Sequence, residues 1–516
     1  MNTFRFEKLV ALLLALMMVA MPLVACEKTP SEPTSGSESS DLPSEPADKN
    51  APNIPEDLRF DGETIRFFVN AGSGDANSQD SLQVRSIIVD ENADMGYGIN
   101  RAVAQRNQTV QDQLGVTVEL TGTCGMQEAA ASLAPILLAG SDEYDIIGGC
   151  QYFDLGLALG ETAGTMLNYN KIPDEDMYLD PTKPYWDTGC YNELAYKGAA
   201  YWITGDLSQT WISTLLVTYV NANMWKQYED VIKDLTGYTD IYELVNAGKW
   251  TLDLFIELSR AVYVDVNHND KVDHEDVVGF AAYTPCLDNI FVDCLAAGSH
   301  ITYSKKVDGR PQIDFFNDHS VAFADKLYQL FNECSAGIFK EEDKYLLDYF
   351  ADGNILLAVQ GLCVSEEYLA DMQDDFYVMP LPKLNEEQDQ YYTQIFDSVT
   401  QFGIPTSCPH VAATTATLEL MGYYSKKFVT PEYYDIALKE RYTRDEKAAD
   451  MIDFIHDSVY TDFAILWSGK LGNTTWFFRT NISKRFASSA KTQQKKWTNA
   501  LEKLLEELES SVYIEV

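Results

Sequence analysis

Between Thr64 and Gly149 the chain alternates strand and helix patterns, and this alternation restricts its fold more than any other feature. Thr64-Ile65-Arg66-Phe67-Phe68-Val69-Asn70 reads as a buried strand, followed by a glycine-bearing polar loop from Ala71 to Asn77. A helix pattern runs from Ile99 to Leu114 and stops at Gly115, where a left-handed cap suits glycine. Val116 to Leu120 is β-branched and alternating, Met126 to Leu138 is helical up to Gly140, and Tyr144 to Gly149 is a third strand. Strands separated by helices predict parallel βαβ units, hence an α/β fold.

The rest of the chain is mixed. A strand is predicted over Thr214 to Val220, and helices over Leu252 to Tyr263 and Val321 to Glu333. Phe376 to Lys383 reads as a strand leaving one lobe. Thr414 to Phe428, Pro431 to Glu440, Asp445 to Ser458 and Lys491 to Leu508 read as helices, and no internal repeat is present. Single cores stop growing near ~250–300 residues, so a chain of 516 residues predicts two lobes.

The first 25 residues have the layout of an export signal. Arg5 and Lys8 precede an apolar run from Leu9 to Ala25, too short and too interrupted by Pro22 for a spanning helix. The run ends in Leu23-Val24-Ala25-Cys26, which resembles the bacterial lipobox. The resemblance implies diacylglycerol on the Cys26 sulfur, cleavage before Cys26 and a palmitate-type anchor in a membrane. Residues 26–60 are Ser-, Pro- and Glu-rich, and are predicted to be a disordered tether. No other segment reaches 18 apolar residues, so no second membrane span is predicted.

With 38 Lys and Arg against 79 Asp and Glu, the formal charge is −41. There is no basic excess to displace phosphate counterions, which argues against a nucleic-acid partner. The acidity suits a self-repelling surface domain, calcium affinity or a cationic substrate. Besides Cys26 there are eight cysteines with no C-x-x-C pair, and they are expected to be mostly buried thiols.

One stretch has metal-ligand spacing. In Asp265-Val266-Asn267-His268-Asn269-Asp270-Lys271-Val272-Asp273-His274-Glu275-Asp276, oxygen side chains stand at loop positions one, three, five, nine and twelve. Lys271, at position seven, would offer its backbone carbonyl. This resembles an EF-hand loop and predicts a structural calcium ion held by Asp265, Asn267, Asn269, Lys271, Asp273 and Asp276. It departs from that pattern at Asp270, where glycine is usual, and at Asp276, which replaces a bidentate Glu.

The order of motifs resembles the extracellular solute-binding lipoproteins of bacterial ABC importers, the large carbohydrate-binding family that includes maltose-binding protein. The resemblance spans roughly residues 61 to 510. It rests on Arg106 with Leu114-Gly115-Val116-Thr117-Val118, and on Leu138 to Ser141 with Glu143 to Ile147. Tyr219-Val220-Asn221 before Trp225, Gly248-Lys249-Trp250-Thr251, Phe350 to Asn354, Val378 to Lys383 and Gly403 to Thr406 complete it. It implies a two-lobed, periplasmic-binding-protein-like α/β fold with an interlobe cleft and hinge strands. Lobe one would take residues 61–165 plus 384–428, and lobe two residues 166–383 plus 429–516.

The resemblance also implies a function: capture of a small solute, a sugar or oligosaccharide, by a monomer on the extracellular face of the cell membrane. Delivery would be to ABC permease subunits, without catalysis. Solute contacts would come from loops at the cleft-facing strand ends. The matching residues are Asn70, Tyr152, Asp206, Trp211, Tyr283, Asn289, Glu366 and Trp467, with Trp202 and Asp288 nearby. Aromatic faces cover the C–H face of a sugar, while carboxylates and amides bond its hydroxyls. Where the family has a cleft tryptophan, this chain reads Cys363-Val364-Ser365-Glu366. Two other classes remain open. A secreted glycosidase would need two carboxylates across the cleft. A surface adhesin or sensor would show an exposed apolar patch.

Overall fold

The computed structural model describes residues 50–71, 81–89, 97–283, 290–334, 337–339, 346–369, 371–439, 446–482 and 486–514. The lipobox, the tether up to residue 49 and most of the loop after the first strand lie outside these.

The chain first lays down β1 (Thr64–Asn70), β2 (Thr117–Cys124) and β3 (Ile146–Cys150). β1 pairs in parallel with both β2 and β3. Its alternation serves two cores, as a parallel sheet requires. Ile65, Phe67 and Val69 enter one apolar cluster, and Phe68 faces the other. The helix Gly98–Leu114 ends at Gly115, whose φ of 70° is left-handed. A Cβ there would sit 2.8 Å from the Phe60 carbonyl oxygen, so both conformation and space call for glycine.

A second sheet follows, built from β4 (Leu216–Asn221), β5 (Tyr263–Val264) and β6 (Val277–Tyr283). The hairpin β7 (Ser304–Val307) and β8 (Arg310–Ile313) stands apart, and β9 (Gly337–Phe339) pairs with β6. β10 (Ile355–Gly361) and β11 (Phe376–Met379) complete the sheet in the order β11-β4-β10-β6-β5. The chain then returns as β12 (Thr400–Gly403), which closes the first sheet antiparallel to β3. β4 is buried at every residue, which explains its unbroken apolar run.

The segment that follows residue 165 contributes to more than one core. Tyr169, Ile172, Leu179, Tyr185, Trp186, Ile203 and Leu207 share a core with Ile65, Phe67 and Phe402 of the first sheet. Met166, Cys190, Leu194, Tyr196, Tyr201 and Trp202 join the other cluster, which also holds Val217 and Tyr219 of the second sheet, so the segment serves both cores. Glu419, fully buried on the helix Val411–Tyr424, fastens the segment. It accepts from the Tyr185 hydroxyl at 2.5 Å, the Trp186 indole N–H at 2.9 Å and the Asp180 amide at 3.1 Å. Burial pushes its carboxyl up to about 7.

The C-terminal helices are Glu446–Asp457 and Phe486–Ser511, with a π-helical turn at Ser425–Val429 before the helix Thr430–Lys439. Among the described residues no helix is long and apolar enough to cross a membrane. Cys150, Cys190, Cys294 and Cys408 are buried thiols, in keeping with the sequence reading.

Candidate functional site

β3 ends at Cys150 and the chain turns at once into Gln151–Asp154. The turn is held by Asp154, whose Oδ2 accepts from the Cys150 amide at 2.7 Å and from Asn70 Nδ2 at 2.8 Å. Burial pushes the Asp154 carboxyl up to about 6, although both hydrogen bonds oppose the shift. Asn70 is 1 % exposed, and its Nδ2 also reaches the Met126 carbonyl. Asn70, predicted as a solute contact, is instead part of the support beneath Tyr152.

Tyr152 is half-buried at the turn. Its ring stacks on Trp476 with centroids 5.1 Å apart and planes 4° from parallel. Its hydroxyl donates to Asn473 Oδ1 at 2.5 Å, and burial pushes that hydroxyl up to about 12. Its backbone amide donates to the Asp397 carbonyl at 3.1 Å. Gly469 lets the opposing segment approach, since a Cβ there would fall 2.2 Å from the Tyr152 carbonyl oxygen.

A charged group adjoins this stack. Arg479, 7 % exposed, donates through Nε to both Asp293 oxygens at 2.9 and 3.1 Å, and through Nη2 to Oδ2. Its guanidinium carbon lies 5.0 Å from the Trp476 ring centre, a cation–π distance. Burial, reinforced by the charge of Asp293, pushes the Asp397 carboxyl up to about 7, while Arg479 and the Trp476 indole pull it the other way. Beside the group lies a cavity of about 640 Å³, lined by Asn473, Trp476, Arg479, Gln493 and Lys496 among others. The Trp476 ring and the Asn473 and Gln493 amides in this lining can cover a sugar face and bond its hydroxyls.

The structure places Asp206, Trp467, Trp202 and Trp211 inside the fold. Asp206 is 1 % exposed and accepts from Thr430 Oγ1 at 2.5 Å, with Lys426 Nζ at 3.5 Å. It holds the entry to the helix Thr430–Lys439; Ser208 makes the cap that precedes Trp211. Trp467, 2 % exposed, packs against Phe463 in the core. Trp202, also 2 % exposed, donates to the Leu155 carbonyl. Trp211 is 8 % exposed, and its indole donates to Asp187 Oδ2 at 3.1 Å. It borders a cavity of about 20 Å³ shared with Gln151, Gln394 and Thr461, space for roughly one water and no sugar. Asn289, Asp288 and the side chains of Tyr283 and Glu366 lie outside the described residues.

The sequence reading missed Trp476, Asn473, Asp397, Arg479 and Asp293. No short motif marks them; they meet only because the segment after Trp467 folds back against the end of β3.

The loop from Asp265 to Asp276 adopts the turn its spacing suggests. His268 and Asp270 both have a left-handed φ of 57°, so Asp270 takes the conformation that glycine usually supplies. Asp265 accepts from the amides of Asn269 and Asp270 at 3.2 and 3.0 Å. Asp276, 1 % exposed, accepts from the amides of Val266 and Asp273 at 3.0 and 3.1 Å. Asp273 accepts from the side chains of Asn267 and Asn269, and the bond from Asn269 is the main cause lowering its carboxyl below the ordinary range. Tyr263 donates to the Lys271 carbonyl at 3.4 Å. Among the described residues no group of three or more His, Cys, Asp or Glu side chains is gathered as a metal-ligand set.

No protein-family model matches the chain, and no curated protein matches it by sequence. Solved structures do match it by fold. The galacto-N-biose/lacto-N-biose I-binding protein of the Bifidobacterium longum ABC transporter, in complex with lacto-N-biose, aligns with a TM-score of 0.53 and 13 % identity, covering 86 % of this chain and 98 % of that one. The maltose-binding periplasmic protein of Listeria monocytogenes, in complex with maltose, aligns at 0.51 and 14 % identity over 88 % of this chain and 100 % of that one. An ABC-transporter-associated binding protein of B. animalis subsp. lactis, in complex with beta-1,6-galactobiose, aligns at 0.51 and 13 % identity over 86 % and 98 %. The fold is thus the two-lobed, periplasmic-binding-protein-like α/β fold.

Proposed function

We propose that this chain, with the fold of sugar-binding proteins of ABC transporters, is the substrate-binding component of an ABC importer. It captures a sugar or oligosaccharide and delivers it to permease subunits. It does so as a monomer without catalysis, held on the extracellular face of the cell membrane by lipid on Cys26. The observation that carries this reading is the 640 Å³ cavity lined by Trp476 and by the amides of Asn473 and Gln493, with Tyr152 stacked on Trp476. Flat aromatic faces beside hydrogen-bonding amides and carboxyls are what a pyranose needs.

A thermal-shift screen against mono- and oligosaccharides, amino acids and polyamines tests it. A ligand at ~100 times its dissociation constant adds about 2.7 kcal/mol of stability. A shift with one sugar class, lost in Trp476→Ala, supports the reading. A shift with polyamines or amino acids alone discards the carbohydrate. Asp293 raises the carboxyl of Asp397 by its charge, so the two acids lie near one another, and a glycosidase would need two carboxyls across its substrate. Hydrolysis of a chromogenic glycoside that Asp397→Asn abolishes would therefore replace binding with catalysis.

Two accessory features belong to the same reading. Metabolic labelling with palmitate, lost in Cys26→Ala, tests the anchor. The loop from Asp265 to Asp276 offers an all-oxygen donor set, suited to structural calcium. It would be held by Asp265, Asn267, Asn269, Asp273, Asp276 and the Lys271 carbonyl. Calcium should raise the melting temperature of the wild type and not of Asp265→Ala; equal melting in calcium and in chelator would remove the ion from the account.

A further inference from the structure

The chain carries about two acids for every base, 79 against 38, yet from Phe463 to Leu501 there is no Asp or Glu at all. The same stretch holds seven Lys and Arg. The 640 Å³ cavity lies wholly within it, since every lining residue falls between Gly472 and Trp497. A −41 chain has therefore built this candidate solute space without a single carboxylate in the wall.

The wall has a definite chemistry. Ser489, Thr492, Gln493 and Lys496 recur at helical spacing along Phe486–Ser511, so hydroxyl, amide and ammonium groups share one face. Trp476 supplies the flat apolar part. The charge of Arg479 is compensated by Asp293. Lys496 is exposed and forms no ion pair with a described residue. The acids elsewhere on the surface matter little here, because exposed charges are largely screened beyond ~8 Å at physiological ionic strength. The charge that an entering solute meets at close range is positive.

We propose that the solute of this cavity is an acidic saccharide, whose carboxylate or sulfate meets Lys496 while Trp476 covers its ring and the Ser489–Thr492–Gln493 face bonds its hydroxyls. The proposal rests on the sugar-binding reading above and reverses the cationic preference that overall charge suggests.

Titration calorimetry of the full chain tests it with three probes: trigalacturonate, neutral galactotriose and a sulfated galactose disaccharide. An acidic probe is expected to bind about tenfold or more tighter than the neutral one. Lys496→Gln should remove that preference, Lys496→Arg should keep it, and added salt should weaken only acidic binding. Whichever acidic probe binds names the anion as uronate or sulfate. Equal affinity for neutral and acidic probes overturns the proposal and leaves the sugar reading standing, as does an equal loss of both in Lys496→Gln. No binding of any saccharide overturns the sugar reading and the proposal with it. Lys496 is exposed, so the variants should fold, and their melting curves check this.

Discussion

At the scale of single residues, Tyr152 and Trp476 are the side chains on which binding should depend. Each ring has one face in the stack, and buried aromatic anchors lose about 2 kcal/mol or more on truncation. Tyr152→Ala and Trp476→Ala should each weaken solute affinity by roughly thirtyfold in calorimetry with little change in melting. Trp467→Ala should do the reverse, since its ring lies in the core. Asp397 makes a second prediction through pH. Its carboxyl titrates at about 7 folded, against roughly 3.9 unfolded. Between those values the folded chain holds a proton that the unfolded chain has lost. The stability this gives is complete below about pH 4 and is lost as pH rises through 7, at up to roughly 1.4 kcal/mol per unit. Asp397→Asn should therefore match the wild type in urea at about pH 4 and exceed it at about pH 8; an equal gain at both would refute the assignment. Sequence pattern located Tyr152 because a strand end is legible. It chose Trp467 over Trp476 because burial of an aromatic depends on which neighbouring helices fold over it, and no local spacing records that.

At the scale of elements, the strands and helices of the first lobe were readable where apolar period and glycine caps agree, as from Ile99 to Gly115. The prediction began the strand at Tyr144, but the ladder starts at Ile146, and the Arg66 amide donates to the Asp145 carboxylate at 2.9 Å instead of to a backbone carbonyl. The anchoring of Tyr185 and Trp186 was not readable, because their partner is Glu419, more than two hundred residues away. Helical period alone also cannot show the π turn that joins Val411–Tyr424 to Thr430–Lys439. The contact between Ser468–Leu471 and the β3 turn makes a sharper prediction. Gly469→Ala puts a Cβ against the Tyr152 backbone, so one of the two segments must move. Because the obstacle is main chain, the shift should part Tyr152 from Trp476. Solute affinity should fall about as far as in Tyr152→Ala, while Gly140→Ala, with open space around it but a left-handed φ of 62°, should cost stability and spare affinity. A Gly469→Ala protein that binds normally would show that the stack is not needed.

At the scale of the whole molecule, the two sheets share one apolar core, beside a second that the first sheet keeps on its other face. Phe68 and Ile147 of the first sheet belong to the same apolar cluster as Val217, Tyr219 and Leu357 of the second, and residues 50–516 form one compact unit. Hinge proteins with loosely joined lobes unfold stepwise, whereas a shared core links the lobes. Urea unfolding should therefore be one transition, with tryptophan fluorescence and circular dichroism coincident. The rings of Tyr152 and Trp476 bear on this, because their 5.1 Å spacing leaves no room for a guest. Two carbon contacts of about 3.5–4.0 Å each would require roughly 7–8 Å between planes. A solute must either stack on the cavity side of Trp476 or part the rings by moving one lobe against the other. In the first case saturating ligand raises the urea midpoint and leaves the slope and the radius of gyration unchanged. In the second the radius changes on binding, and the transition without ligand broadens or splits as the lobes uncouple. A single transition with an unchanged radius would place the solute in the cavity alone. A split transition would mean that the continuous core yields on binding, and that the stack acts as a latch which the ligand must open.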